Sequence, residues 1–122
     1  MIRRWPGQAA TISGAVAHGG LVHTAGLVAP SVLTGAPGTM AEQVEEVLDL
    51  LRCTLEAAGT VPGNVLRVEA YLTDPADLST WDAGFATVWP TDPPARTTVC
   101  LTLAAPGARI EIQAVAVAAG AR

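Results

Sequence analysis

The spacing of apolar and polar residues predicts a sheet interrupted by two amphipathic helices, in the order strands, helix, strand, helix, two strands. Leu21 to Leu27 follows the Gly19-Gly20 turn and reads as a strand, with Ala9 to Val16 as its candidate pairing partner. Pro30 to Gly38 is rich in Pro, Gly, Ser and Thr and reads as a loop; Thr39 and Glu42 then have the spacing of a capping box, so a helix starts there. Val44, Val47, Leu48, Leu51, Leu55 and Ala58 recur at helical spacing, charged residues fill the positions between them, and Gly59 supplies the stop.

From Val65 to Leu72, the apolar Leu66, Val68, Ala70 and Leu72 alternate with Arg67, Glu69 and Tyr71, the period of a strand with one apolar face. Asp77 can cap a second helix, whose stripe Leu78, Trp81, Phe85 and Val88 reads as core and which Pro90 ends. Pro93-Pro94-Ala95-Arg96 opens a strand, a turn follows at Ala104 to Gly107, and Arg109 to Val117 forms a last strand with Ile110, Ile112, Ala114 and Ala116 on one face. Two helices can cover only one face of such a sheet. The alternation assigns Arg67, Glu69, Tyr71, Thr98, Cys100, Thr102, Glu111, Gln113, Val115 and Val117 to the other face, a mixture suited either to water or to packing on copies of itself with polar pockets along the seams.

A length of 122 residues suits one domain, 1–122. No apolar run approaches the roughly 20 residues of a membrane span, and the N-terminus lacks the pattern of a secretory signal, so a cytoplasmic protein is expected. The net charge is −4, and the seven arginines, without any lysine, form no basic stripe, which disfavours nucleic acid as a partner. Cys53 and Cys100 are far apart and read as reduced, buried small residues. His18 and His23 have no acidic or cysteine companion at metal-ligand spacing, and no glycine motif points to a nucleotide.

Pro94-Ala95-Arg96, Val99, Leu103, Pro106-Gly107 and Ile110-Glu111-Ile112 together resemble the C-terminal signature of the RidA/YjgF family. Gly20-Leu21-Val22 leading to Ala25-Gly26, Glu42-Gln43 to Ala58-Gly59, Val65-Leu66-Arg67 to Tyr71-Leu72 and Asp77-Leu78 to Phe85 follow the same layout, so the resemblance covers nearly the whole chain. It implies a chorismate-mutase-like α/β (α+β) domain, a mixed sheet with two helices on one face, assembled as a homotrimer with clefts between subunits. It also implies hydrolysis of reactive enamines or imines to 2-keto acids and ammonia without a cofactor.

By this resemblance Arg96 binds the substrate carboxylate, Gly26 and Thr98 belong to the binding site, and Glu111 polarises the attacking water. A guanidinium fork suits a carboxylate, and a carboxylate suits the activation of water. The chain departs from archetypal members at Ile12 (Tyr in the archetypes), Ala25 (Ser) and Thr98 (Cys); the frequent asparagine of the second helix is Asp82, read as a solvated or capping group. A trimeric module that binds a small carboxylate without turnover is the alternative function, and ribonuclease activity, attached to the family by name, fits an acidic chain poorly. If the Ala104 to Gly107 turn joins antiparallel neighbours, Glu111 lies five or six positions from Arg96, roughly 16 to 20 Å along the strand, and the two can meet only between subunits.

Overall fold

A computed structural model describes residues 1–120. In chain order the elements are β1 (Arg3–Pro6), β2 (Ser13–His18), β3 (Leu21–Thr24), β4 (Leu27–Val28), a single helical turn α1 (Pro30–Leu33), the long helix α2 (Met40–Ala57), β5 (Val65–Leu72), α3 (Leu78–Val88), β6 (Ala95–Cys100) and β7 (Ile110–Val117). The strands form one mixed seven-stranded sheet in the order β1-β2-β3-β7-β5-β6, with β3 and β4 following one another along β7. Only β5 and β6 run parallel, as a strand-helix-strand unit requires. No helix among the described residues is long and apolar enough to cross a membrane.

Both helices pack on one face. The Thr39–Glu42 capping box is complete, with the Glu42 amide donating to Thr39 Oγ1 and the Thr39 amide to Glu42 Oε1. Val44, Val47, Leu48, Leu51 and Leu55 are buried against Val68, Ala70 and Leu72 of β5 and the apolar side of β7. A Cβ at Gly84 would run into the Val44 side chain, which explains how α3 lies so close to α2. Gln43 is fully buried, yet all its polar atoms are used: Nε2 donates to the Gly38 and Gly107 carbonyls and Oε1 accepts from the Arg109 amide. It ties α2 to the turn that leads into β7.

Several local expectations are corrected. The strand expected over Leu21 to Leu27 breaks after Thr24, because Thr24 Oγ1 takes the Ala114 amide while the Ala25 amide turns to the Gly14 carbonyl. Its partner is Ser13–His18, shifted from the expected Ala9 to Val16, and Arg3–Pro6 adds an edge strand. Pro30–Leu33 is helical within the expected loop, with the Ser31 amide and hydroxyl held by Glu46 of α2. A register shift between Val65 and Arg67 turns Leu66 outward, 49% exposed. Asp77 makes no capping hydrogen bond; its carboxylate is taken by Arg109, at 2.9 Å. Cys53 and Cys100 are unbridged as expected but exposed, the first on the solvent side of α2 beside Arg52 and the second at the end of an edge strand.

The largest correction concerns β6 and β7. They are not neighbours: β5 lies between them, parallel to β6 and antiparallel to β7. Thr98 and Cys100 therefore align with Ala70 and Leu72 and belong to the helix side, not to the open face.

Candidate functional site

β7 occupies the middle of the sheet, and its strict alternation sends Ile110, Ile112, Ala114 and Ala116 under the helices while Glu111, Gln113, Val115 and Val117 face the open side, half-buried. The register carries this row across β5, pairing Glu111 with Tyr71 and Gln113 with Glu69. Glu111 also pairs with Val28 on β4, which brings the preceding Gly26 against it. A Cβ at Gly26 would collide with the Glu111 carboxylate. Among the described residues that carboxylate has no ion pair and no hydrogen bond, and burial pushes its pKa above the ordinary glutamate value.

Beside it lies a polar cluster that the sequence reading did not assemble. Tyr71 donates its hydroxyl to Glu69 Oε2 at 2.9 Å, and Gln113 Nε2 lies 2.8 Å from the same oxygen and 2.9 Å from the Tyr71 hydroxyl. The Gln113 and Tyr71 hydrogen bonds hold Glu69 below the usual glutamate value. The Glu69 bond and burial, in that order, raise the Tyr71 phenol, with the charges of Glu69 and Glu111 adding to the effect. A shallow cavity of about 130 Å³ opens next to the cluster, walled by His23, Arg67, Glu69 and Gln113 among others.

Arg96 sits on the other side of the sheet. It aligns with the buried Val68, and its side chain turns toward α3, where the guanidinium carbon lies 4.8 Å from the centre of the Phe85 ring and Nη2 lies 2.7 Å from Asp82 Oδ1. Asp82, expected as a solvated or capping group, is thus the ion-pair partner of Arg96. Two positions on, Thr98 Oγ1 is buried without a hydrogen-bond partner. Both residues line a 290 Å³ depression together with Leu72, Pro75, Leu78 and Cys100.

The candidate residues therefore form two pairs, Gly26 with Glu111 and Arg96 with Thr98, on opposite faces. Arg96 is level with Val68 and Glu111 with Tyr71, three residues further along β5. That offset of about 10 Å, with two strand spacings of about 4.8 Å across, separates their backbones by roughly 14 Å before the opposite orientation of the side chains is counted. The hairpin geometry expected from the sequence is overturned, while the separation within one chain is retained for a different reason. Ile12 is exposed at the turn before β2. Among the described residues no three His, Cys, Asp or Glu side chains gather at metal-ligand distance.

Residues 3–118 match the protein family described as endoribonuclease L-PSP. A YjgF-family protein of Neisseria meningitidis shares 31% identity and superimposes with a TM-score of 0.84 over 97% of this chain and 95% of that one. The chain belongs to the YjgF/RidA family. The mitochondrial protein mmf2 of Schizosaccharomyces pombe is 32% identical over 105 residues, 84% of this chain and 83% of that protein. A RutC family protein of Pyrococcus horikoshii is 30% identical over 106 residues, 85% and 84% of the two chains. RidA from a Psychrobacter species superimposes with a TM-score of 0.81 at 25% identity, over 88% of both chains. The mixed sheet with helices on one face is thus the YjgF/RidA domain.

Proposed function

We propose that this protein hydrolyses reactive 2-imino acids, and the enamines that tautomerise to them, to 2-keto acids and ammonia without a cofactor, in the cytoplasm and in clefts completed by a second copy within a homotrimer. The observation that carries this reading is Glu111, a half-buried carboxylate at the centre of the sheet, free of any ion pair among the described residues and with a raised pKa. A group in that state can accept a proton from water and return it to a leaving nitrogen.

In the reaction, Arg96 takes the substrate carboxylate and Glu111 of a neighbouring copy draws a proton from water. The water oxygen bonds to the imine carbon and Glu111 passes the proton it took to the nitrogen; in the resulting carbinolamine Glu111 takes the hydroxyl proton and returns it to the amine, so that the C=O bond forms as the C–N bond breaks and ammonia and the keto acid are released. Gly26 gives the Glu111 carboxylate its position, and Thr98 has a hydroxyl still to be paired, beside Arg96. The unpaired edge of β6 and the half-buried valines Val115 and Val117 of the open face suit association with further copies. An endoribonuclease role has less support, since the chain carries a net charge of −4.

The test is to generate a 2-imino acid with a pyridoxal-phosphate enzyme and to follow keto-acid release with and without this protein. Acceleration that disappears in Arg96→Ala and falls strongly in Arg96→Lys, with both variants folded, supports the proposal. Saturable keto-acid binding without acceleration for any side chain would instead identify a carboxylate-binding module.

A further inference from the structure

Arg96 is not a free cation. Asp82 and Phe85 stand three residues apart on α3, so one helical face presents a carboxylate and an aromatic ring to the same guanidinium. Aspartate in mid-helix is a poor helix former and lies away from the helix N-terminus, where its charge would help. The side chains of Arg96 and Asp82 are 28% and 48% exposed, and a pair so open to water adds little to the stability of a fold. Its position is better explained by what it does to a ligand.

We infer that Asp82 makes the Arg96 subsite selective for a carboxylate with a positive charge on the neighbouring nitrogen, the protonated 2-imino acid, over the bare anion of a 2-keto acid. The inference rests on the reading that Arg96 anchors the substrate carboxylate. An anion arriving at Arg96 also meets Asp82, because a single Nη2 contact at 2.7 Å brings that carboxylate to the edge of the binding fork. Like charges at such range repel, by roughly 1–4 kcal/mol at a partly solvated surface site. A protonated imine compensates, since its N–H⁺ faces the aspartate while its carboxylate faces the arginine. Arg96 opens onto the depression walled by Leu72, Pro75, Leu78, Thr98 and Cys100, which no carboxylate lines among the described residues; Asp82 reaches a ligand only through its contact with the guanidinium, from the α3 side.

Hydrolysis then removes the favourable term. The iminium carboxylate and one water become the keto acid and ammonium, so the cation leaves on the nitrogen and the product that stays is a lone anion beside Asp82. Asp82 is a specificity residue that binds substrate in preference to product and hastens product release.

The experiment compares the wild type, Asp82→Asn, Asp82→Glu and Arg96→Ala by calorimetric titration with 2-oxobutyrate and with its zwitterionic analogue 2-aminobutyrate, alongside product inhibition of turnover. Asp82→Asn is expected to bind the keto acid roughly tenfold tighter, the amino acid no better, and to show stronger product inhibition with kcat less affected than KM; ten-fold corresponds to about 1.4 kcal/mol. Asp82→Glu, which keeps the charge, should retain the wild-type preference. A folded Asp82→Asn protein with an unchanged keto-acid to amino-acid ratio, while Arg96→Ala loses both ligands, would overturn the inference and leave the Arg96 anchor standing. Arg96→Ala binding both ligands like the wild type would overturn the anchor itself. Should Asp82→Asn fail to fold, Asp82→Ser at the same half-exposed position gives the same comparison.

Discussion

The Glu111 carboxylate lies against the backbone of Gly26 so closely that no side chain fits between them. Gly26 follows the break after β3 that Thr24 creates, and the chain then rejoins β7 through Leu27 and Val28, which sets the glycine beside the acid. Gly26→Ala should therefore push the carboxylate aside or shift the strand end. The expected outcome is a loss of more than about ten-fold in kcat/KM, about 1.4 kcal/mol of transition-state stabilisation, with binding of keto acids less affected. Turnover equal to the wild type in a folded Gly26→Ala protein would remove Gly26 from the site.

Glu111→Gln keeps the size and shape of the side chain but removes the basic oxygen, so hydrolysis should slow much more than binding weakens. The pH dependence has a definite sign. Because burial raises the pKa of Glu111, the folded protein holds this proton more tightly than the unfolded chain does. Ionising it weakens the fold as pH rises from the unfolded carboxylate value of about 4.3 through the raised folded value. Glu111→Gln should thus be more stable than the wild type at neutral pH, with the gap closing in acid, as thermal melting across pH can establish. The acid limb of kcat/KM should lie above the ordinary glutamate value in the wild type and vanish from the residual rate of the variant.

Glu69 behaves in the opposite sense. Gln113 and Tyr71 hold its pKa down, so its contribution to stability is present above the unfolded carboxylate value and is lost as pH falls through the lowered folded value. Gln113→Ala should flatten that acid-side loss in melting experiments. An unaltered profile would mean that the three-residue cluster does not form in solution.

Gln43 gives a stability test away from the site. Replacing the buried Gln43 with leucine leaves the Gly38 and Gly107 carbonyls and the Arg109 amide without their partner at a part-buried site. The expected cost is about 1–3 kcal/mol in urea unfolding, the range for polar groups deprived of their hydrogen-bond partner. A neutral result would show that water replaces the amide there.

How much of this was legible in the sequence follows from how local each interaction is. The capping box at Thr39 and Glu42, the apolar stripe of α2 and the alternation of β7 are written in residues a few positions apart, and the structure has them as expected. Strand order is not local. Nothing near Ala104 to Gly107 announces that β5 enters between β6 and β7, and that one fact moves Thr98 to the helix side and brings Arg96 to Asp82. The strand break after Thr24 and the outward turn of Leu66 have a related cause: in one a side chain replaces a backbone acceptor, and in the other a single-residue bulge reverses the face, and neither leaves a mark on hydrophobic period. Glu111 and Arg96 were found through family resemblance, but Glu69, Tyr71 and Gln113 meet only through a cross-strand register.

The central claim is that each active cleft takes Arg96 from one copy and Glu111 from another. The most direct measurement is to dissociate the Arg96→Ala and Glu111→Gln proteins, reassociate them together, and assay imine hydrolysis. Each parent assembly lacks one half of every cleft, whereas a mixed assembly can bring an intact Arg96 and an intact Glu111 into the same one. Recovery of a substantial fraction of wild-type activity in the mixture alone is the expected result. A mixture as inactive as its parents, with mass measurements showing that the two chains have assembled together, would contradict the account.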